Sequence, residues 1–470
     1  MRVSATAGGT SADGMISDRP LRDVVRLALP VVATMGSQSL MGLADLFFMR
    51  WVGTAQQAAV GLGSTATWTL LSLFMGTVSG VSTFVAQELG AGRPRDTGGY
   101  VWQALWPMLP FAVPLAFAAP LVRTLLESIG AEADVAVLAA RYSEIRLWGA
   151  AFAIAGFAVV GFLRGLGEMM VPLWVTLGQN VLNIGLNALF VFGAGPIPRM
   201  GLEGVAWATV IATTLGTVAY LAIFLRARYR DEYGTSRGLR PDLSRVAHFV
   251  RVGLPIGVSW VLEMAVWTVF TIYAASLGKV SSAAHNIVMQ IVHVSFMPGV
   301  ALSIAAGTLV GRQLGAERPE AAARYGWVTL RVCLAYMGGM GLLFFLLRGP
   351  LIGAFAADDA VGDVGRRLIV YAAAFQVFDA IGIVCGGALR GAGDTRYPMV
   401  VSIGGAWLCF LPLIFLFGTT AGWGIDGAWL GATLFLALIG VLLLARFRGG
   451  RWKKMRVVAP AALDMSGERA

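Results

Sequence analysis

The amino-acid sequence carries the same apolar pattern twice, at an offset of about 225 residues. Leu29-Pro30 opens the first copy and Leu254-Pro255 opens the second. Two further motifs keep the offset: Gly90–Pro94 corresponds to Gly315–Pro319, and Arg164–Glu168 corresponds to Arg390–Asp394. A register that persists over such a distance indicates a tandem duplication.

Both copies consist of apolar runs that are long enough to cross a bilayer as helices, which takes about 20 residues. We predict twelve spans, six in each copy: 24–49, 57–85, 99–122, 135–162, 171–194, 203–226, 249–276, 284–310, 325–347, 364–388, 396–418 and 424–446. An even number of spans gives both copies the same orientation in the membrane. The runs are continuous and do not alternate, which excludes a strand barrel. The predicted fold is an all-α integral membrane protein with two six-helix lobes related by a parallel tandem repeat, the usual build of a secondary transporter.

The net charge of +10 could indicate a nucleic-acid partner, but the basic residues lie where membrane topology explains them. They crowd the segment between the copies and the tail: Arg226, Arg228, Arg230, Arg237, Arg240, Arg245 and Arg251, then Arg446, Arg448, Arg451, Lys453, Lys454 and Arg456. The odd-numbered loops are much poorer in Arg and Lys. The positive-inside rule therefore predicts that both termini and the central linker of this multi-pass cell-membrane protein are cytoplasmic. Since topology explains the charge, we predict no nucleic-acid partner.

These patterns divide the chain into five segments. We predict a disordered cytoplasmic N-terminus (1–20), an N-lobe with spans 1 to 6 (21–226), a cytoplasmic linker (227–248), a C-lobe with spans 7 to 12 (249–446) and a basic cytoplasmic tail (447–470). The lead-in has no apolar signal-peptide core. The composition of the linker leaves room for one short amphipathic helix on the membrane surface.

Three carboxylates inside the predicted spans stand out because each lies in an otherwise apolar stretch: Asp45 in span 1, Glu263 in span 7 and Asp379 in span 10. A charge inside the bilayer is costly unless it is paired or protonated. No basic residue lies within one helical turn of any of them. We therefore predict that they bind the coupling ion or the substrate; the alternative is a buried structural carboxylate. Glu144 differs, since Arg141 and Arg146 flank it and indicate a structural ion pair.

Helical spacing suggests a cavity around these carboxylates. The candidate lining residues are Gln38, Asn180, Asn183, Asn187, Ser259, Trp260, Trp267, Gln290, Phe375 and Gln376. Aromatic rings beside a carboxylate suit a lipophilic cation. The alternative is that the aromatic side chains face lipid or neighbouring helices, and that the asparagines of span 5 join helices by hydrogen bonds.

A pair of prolines and a pair of turns, each at equivalent places in the two copies, have a predicted mechanical role. Pro30 and Pro255 should bend or break spans 1 and 7. The Arg-Gly-x-Gly-acid motifs at 164–168 and 390–394 are tight turns between spans, because glycine permits positive φ. The arginine of each turn could also form a gating ion pair with Glu168 or Asp394.

Taken together, these residues resemble the multidrug and toxic compound extrusion (MATE) family over about 22–445. The motifs that carry the resemblance are the two Leu-Pro starts, Met41–Asp45, Gln87–Gly92, Ala283–Asn286 and the two Arg-Gly-x-Gly-acid turns. The resemblance implies two lobes that face each other in a V. It also implies export of organic cations or other amphipathic compounds, driven by inward flow of H⁺ or Na⁺.

Within the family, Glu263 and Asp379 resemble the C-lobe carboxylates of the NorM-like branch, and Asp45 resembles the N-lobe acid of span 1. The resemblance implies one metal ion, Na⁺, which Glu263 and Asp379 could bind. Two departures matter: Asn187 stands where other branches place a second acid, and Phe375 stands where sodium-using relatives often have Tyr. The first weakens a proton mechanism in the N-lobe and the second weakens sodium coordination.

The leading hypothesis is a cation-coupled drug antiporter without a cofactor. Its predicted partners are small-molecule drugs or toxic metabolites and the lipid bilayer. We predict that it acts as a monomer. A lipid-linked oligosaccharide flippase is the alternative, although it should line its cavity with Arg and Lys. An intramembrane enzyme would need a site such as H-E-x-x-H. Three histidines and the cysteines Cys333, Cys385 and Cys409 provide no such spacing, so we do not predict an enzyme.

Overall fold

The structure is a computed structural model that describes residues 19–128, 130, 132–193, 197–356 and 358–458. The predicted disordered segment 1–20 and the end of the predicted tail therefore lie largely outside the described residues. Within these ranges, ten helices are long and apolar enough to cross a membrane: Pro20–Met49, Thr54–Gly90, Met170–Phe192, Gly201–Phe224, Leu243–Ser276, Lys279–Gly315, Pro319–Leu346, Asp359–Ala392, Arg396–Thr420 and Gly424–Arg448. They correspond to predicted spans 1, 2 and 5 to 12.

Spans 3 and 4 are helix pairs with a sharp bend. Span 3 consists of Pro94–Ala116 and Ala119–Ser128, which meet at 67°, and span 4 consists of Ala133–Trp148 and Ala150–Leu166, which meet at 56°. Span 3 contains Pro107, Pro110 and Pro114, and proline removes helical hydrogen bonds. With each bent pair counted as one span, the described residues form the twelve-span, all-α fold that the sequence predicts.

The helices of the C-lobe extend beyond their predicted ends. Span 10 was expected at 364–388, whereas its helix covers Asp359–Ala392. Its start is fixed by Asp358, whose side chain accepts a hydrogen bond from the Val361 amide at 2.8 Å. Hydropathy marks only where the apolar run ends, while the helix continues to its cap.

Of the bend or break predicted at Pro30 and Pro255, the break does not occur. Both prolines lie inside continuous helices. The Thr34 hydroxyl donates to the Pro30 carbonyl and the Ser259 hydroxyl donates to the Pro255 carbonyl, each at 2.8 Å. Each hydroxyl thus bonds the carbonyl of the proline one turn earlier, at equivalent places in the repeat.

Each lobe receives the first turns of the other lobe's first span. Val24 and Leu27 of span 1 lie in the hydrophobic core of the C-lobe. Phe249 and Val252 of span 7 lie in the core of the N-lobe. This reciprocal packing joins the lobes at the end that carries the linker.

Spans 2 and 8 cross at the same end with their backbones in close contact. A Cβ atom at Gly90 would collide with the carbonyl of Arg312, and one at Gly315 would collide with the carbonyl of Gln87. Reciprocal hydrogen bonds flank the crossing: Thr83 Oγ1 donates to the Arg390 carbonyl and Thr308 Oγ1 donates to the Arg164 carbonyl, each at 3.1 Å. The tandem repeat thus produces a nearly symmetric junction.

The linker and the C-terminal segment pack against this junction. The linker contains a short helix, Ala227–Tyr233, and the helix of span 7 already begins at Leu243, inside the segment predicted as linker. Trp102 Nε1 and Trp106 Nε1 of span 3 donate to the carbonyls of Thr235 and Leu239 at 2.7 and 2.9 Å. In the tail, the Val457 amide donates to Gln87 Oε1 at 2.9 Å, so the C-terminal segment reaches the N-lobe.

The crossing makes a direct prediction for stability. We expect Gly90→Ala to lower the free energy of unfolding by about 1–3 kcal/mol, because its Cβ meets a backbone atom that cannot rotate away. Gly178→Ala is the matched control, since a Cβ at this helical glycine has no heavy atom within 4 Å. Thermal unfolding in detergent measures the difference, and equal midpoints for both variants would contradict the packing.

Candidate functional site

The structure brings the two predicted C-lobe carboxylates together. Glu263 of span 7 and Asp379 of span 10 are both partly buried, and Asp379 lies within electrostatic range of Glu263. Glu263 also lies near the Ser402 side chain of span 11 and is attracted by the Arg390 guanidinium. Sequence proximity suggested no basic partner for Glu263, and the fold provides one.

Arg390 provides this partner by extending into the lobe from the end of span 10. Its Nη1 atom lies 3.6 Å from the position that a Cβ would take on Gly386, one helical turn earlier. The suggested gating pair between Arg390 and Asp394 is therefore not formed. Asp394 instead accepts from Arg446 Nε at 2.8 Å.

In the turn at 164–168, too, the acid is paired with an arginine from outside the turn. Glu168 accepts from Arg228 Nη2 at 2.9 Å and from the Tyr229 hydroxyl, so Arg164 is not its partner. Burial, and next the hydrogen bond to Glu168, raise the pKa of the Tyr229 hydroxyl, which keeps it a donor. The predicted structural pair of Arg141 and Glu144 does form, at 2.9 Å.

The candidate lining residues near the carboxylates divide into two groups. Trp260 is partly exposed, and its ring meets Phe157 of the N-lobe edge to face, with centroids 6.1 Å apart. Trp267 packs against Phe410 with centroids 5.6 Å apart. Gln38 and Gln290 are exposed. These positions agree with a surface between the lobes or next to it.

The second group belongs to the interior of the C-lobe. Phe375 is only 2% exposed and stacks on Trp429. Gln376 Nε2 donates to Ser295 Oγ at 2.6 Å, and Ser259 is bonded to its own helix. Helical spacing from Asp379 suggested cavity positions for Phe375 and Gln376, whereas the structure supports the alternative of packing between helices.

Asp45 lies in a buried polar network of the N-lobe. Its side chain accepts from Asn187 Nδ2 at 2.7 Å and from Thr209 Oγ1 at 3.0 Å. Asn187 Nδ2 also donates to Asn183 Oδ1 at 3.1 Å, and Asn183 Nδ2 donates to Thr209 Oγ1 at 3.2 Å. Further along span 5, Asn180 Nδ2 donates to the Ser37 carbonyl at 2.5 Å. Spans 1, 5 and 6 are thereby joined through one carboxylate.

The sequence does not predict two of the residues that surround Asp45, Thr209 and Arg146. Thr209 stands in a span with several threonines, so its spacing gave no signal. Arg146 was assigned to the Glu144 pair, but its Nη1 donates to the Tyr142 hydroxyl at 3.0 Å and its charge attracts Asp45. Only the fold could identify both.

The repeat offset shows that the lobes use opposite chemistry at equivalent places. Asp45 corresponds to Phe270, which lies among His285, Phe410 and Trp429 with ring centroids 4.7 to 5.7 Å away. Conversely, Glu263 corresponds to Gln38, and Asp379 corresponds to Ala153 or Ile154. The N-lobe therefore has a polar network where the C-lobe has an aromatic cluster, and only the C-lobe has the carboxylate pair.

Over the described residues, no group of three or more His, Cys, Asp and Glu side chains could hold a metal ion.

A model of a known protein family matches this chain over both copies of the repeat. The family model MatE matches residues 30–189 and 255–416, one segment in each copy of the repeat. The chain belongs to the MatE family. The resemblance to MATE transporters that the motifs indicated is thereby confirmed.

Similar proteins cover nearly the whole of this MatE chain. The Multidrug resistance protein NorM of Burkholderia vietnamiensis is 30% identical over 434 residues, which are 90% of this chain and 93% of the relative. The Probable multidrug resistance protein NorM of Thermotoga maritima is 28% identical over 446 residues, 93% of this chain and 94% of the relative.

Solved structures share the fold of this MatE chain. A crystal structure of MATE in the bent conformation has a TM-score of 0.84 at 22% identity, covering 94% of this chain and 97% of that one. An outward-facing structure of a multidrug resistance MATE family transporter has a TM-score of 0.84 at 20% identity, covering 94% and 99%.

The network around Asp45 makes a prediction for stability. We expect Asn187→Ala to lower the free energy of unfolding by about 1–3 kcal/mol, because a buried carboxylate oxygen loses its amide donor. Asn286→Ala is the control, since Asn286 is exposed in span 8. Equilibrium unfolding in mixed micelles measures both, and an Asn187→Ala protein as stable as the control would show that the network contributes nothing.

Proposed function

We propose that this protein is a secondary active multidrug efflux antiporter, which exports organic cations or amphipathic compounds in exchange for H⁺ or Na⁺. The observation that carries the proposal is the pair of carboxylates, Glu263 and Asp379, inside the C-lobe. The names of the NorM relatives support drug export. The carboxylate pair supports a cationic substrate and a cationic coupling ion at one place.

The two carboxylates have different surroundings. Glu263 is attracted by the Arg390 guanidinium and has the Ser402 side chain nearby. Asp379 has Glu263 as its charged neighbour, and no basic side chain of the described ranges forms an ion pair with it. A negative charge at Asp379 therefore needs a cation from outside the protein. A proton, a sodium ion or a cationic drug can each provide it. Asp379 is the proposed exchange site and Glu263 its anchored neighbour.

Mutual exclusion at Asp379 would couple the two flows. A cation bound there removes the charge that attracts the other ligand, so ion and drug compete. Each ligand shifts the lobes only as far as its affinities for the two orientations differ. Na⁺ would find hard oxygen ligands in both carboxylates and in Ser402, whereas H⁺ needs Asp379 alone.

Asp45 has a different proposed role. Both of its oxygens already accept hydrogen bonds from Asn187 and Thr209, and Arg146 compensates its charge. These contacts support a carboxylate that holds spans 1, 5 and 6 together. We therefore assign coupling to the C-lobe.

The flippase alternative is less well supported. A pyrophosphate-linked lipid needs several unpaired cations, and Arg390 is already compensated by Glu263. The relatives' names support a transporter rather than an enzyme. We propose that the chain works as a monomer without a cofactor, since one chain contains both lobes.

The transport proposal is tested with inside-out membrane vesicles and a fluorescent organic cation. We expect Asp379→Asn to abolish gradient-driven uptake of the dye, because the amide cannot exchange a proton or a sodium ion. Glu263→Gln should also impair uptake, since it leaves the Arg390 charge unpaired. Asp363→Asn is the matched control: Asp363 belongs to the same helix and its side chain is 66% exposed.

A pH gradient and a sodium gradient are imposed separately in this assay, so that the coupling ion is identified. Uptake by the control under one gradient, with none by Asp379→Asn, agrees with the proposal. Normal gradient-driven uptake by Asp379→Asn would refute it.

The orientation in the membrane is tested independently. We propose that the linker is cytoplasmic, and with it the end where spans 2 and 8 cross. Arg237→Cys and Ala421→Cys place single thiols at exposed positions on opposite sides, in a variant with its own cysteines replaced. An impermeant maleimide added to intact cells should label position 421 and spare position 237, and the reverse pattern would invert the topology.

A further inference from the structure

A basic cleft lies on the surface of the N-lobe, where the linker meets the start of span 3. Its volume is about 390 Å³, and the described residues that line it are Arg95, Arg230, Asp231, Gly234, Ser236 and Arg237. Clefts of roughly 300–1,000 Å³ are typical of small-molecule sites. Three of the lining residues are arginines and one is acidic, so the cleft has an excess of positive charge.

Backbone contacts hold the linker against span 3 at this place. The Gly98 amide donates to the Tyr233 carbonyl at 2.9 Å. The next residue, Gly234, has a φ of 62°, and a Cβ there would collide with the Arg95 carbonyl and lie 3.2 Å from Arg237 Cδ. The Arg237 amide donates to the Gly234 carbonyl at 2.8 Å and closes a tight turn. The backbone therefore gathers these arginines beside Gly234, although their charges repel.

The protein itself provides little compensation for these charges. Over the described residues, no carboxylate forms an ion pair with Arg95 or Arg237. Arg230 Nε lies 3.3 Å from Asp231 Oδ1, but the two side chains are 54% and 71% exposed. An ion pair so open to water contributes little. Since like charges held together repel each other, an anion that enters the cleft would relieve the repulsion.

The tandem repeat shows how the C-lobe avoids such a concentration of charge. At the repeat offset, Arg95 corresponds to Glu320 in the first turn of span 9. Glu320 accepts from Lys453 Nζ at 2.9 Å, and Glu317, just before it, accepts from Arg456 Nη1 at 2.8 Å. The C-lobe thus meets the basic segment after its last span with acids. The N-lobe meets the basic linker after its last span with another arginine.

We propose that this cleft binds a phosphate group from outside the protein. Arginine binds phosphate oxygens through paired, charge-assisted hydrogen bonds, and the Ser236 hydroxyl can donate a further one. The volume of the cleft leaves room for the organic part of a phosphate ester. With the proposed topology, the cleft faces the cytoplasm, where phosphate occurs in soluble esters and in the headgroups of anionic lipids. The inference is independent of the C-lobe carboxylates and of the transport proposal.

The soluble source is tested with purified full-length protein in an uncharged detergent. Glycerol phosphate is titrated at constant ionic strength, with chloride in its place, while calorimetry records binding and thermal unfolding records the midpoint. We expect saturable binding that raises the midpoint of the wild type. The double variant Arg95→Gln, Arg237→Gln should bind about tenfold more weakly or less, the usual weight of a hydrogen bond to a charged group. Arg240→Gln is the matched control, since Arg240 is an exposed arginine of the same linker that does not line the cleft.

The lipid source is tested with the same three proteins in vesicles of phosphatidylglycerol and phosphatidylcholine in equal amounts. Native mass spectrometry then counts the phosphatidylglycerol molecules that remain bound. More bound lipid in the wild type and the control than in the double variant identifies a lipid headgroup as the ligand. An equal count in all three, with weaker binding of glycerol phosphate by the double variant, identifies a soluble ester. Either result supports the inference.

Arg95→Glu distinguishes a binding site from a cluster with a structural role only. It supplies the acid that the C-lobe has at this place, so it should raise the unfolding midpoint without phosphate and abolish the further rise that glycerol phosphate causes. A phosphate-dependent rise that persists in Arg95→Glu would overturn the inference. A wild type that binds neither probe would also overturn it, as would a double variant that binds both as tightly as the control.

Discussion

A charged side chain inside a helix bundle needs compensation, and the two lobes of this protein meet that requirement differently. In the C-lobe, Arg390 of span 10 attracts Glu263 of span 7, whereas Asp379 has Glu263 as its charged neighbour and forms no ion pair over the described residues. In the N-lobe, neutral amides and a hydroxyl surround Asp45. Asp45 holds helices together through Asn187 and Thr209. We propose that Asp379, which forms no ion pair over the described residues, is available to a ligand.

The tandem repeat explains why this difference can exist without a change of fold. The lobes share the crossing of spans 2 and 8, the reciprocal threonine bonds and the exchanged first turns of spans 1 and 7. These contacts use backbone carbonyls, glycines and small side chains, so they constrain the scaffold and leave the interior of each lobe free to diverge. Phe270 in place of an acid, and Gln38 in place of Glu263, are consequences of that freedom.

The sequence predicted the spans, the repeat and the three intramembrane carboxylates, because hydropathy and spacing are local properties. It did not predict partners that come from distant helices. Arg390 was assigned to a turn, since nothing local shows that its side chain extends inward to Glu263. Phe375 shares a helical face with Asp379, but packing against Trp429 places it in the interior. The bends of spans 3 and 4 also depend on how the helices pack, which apolar runs do not reveal.

The central claim is that a cationic drug and the coupling ion use the same carboxylate, Asp379. The most direct test is to add a saturating cationic drug to the purified protein in weakly buffered, sodium-free detergent solution and to record proton release, with a parallel experiment on the sodium-loaded protein and a sodium electrode. The account predicts that the drug displaces about one ion per bound molecule in the wild type and none in Asp379→Asn. Drug binding without displacement of either ion in the wild type would contradict it.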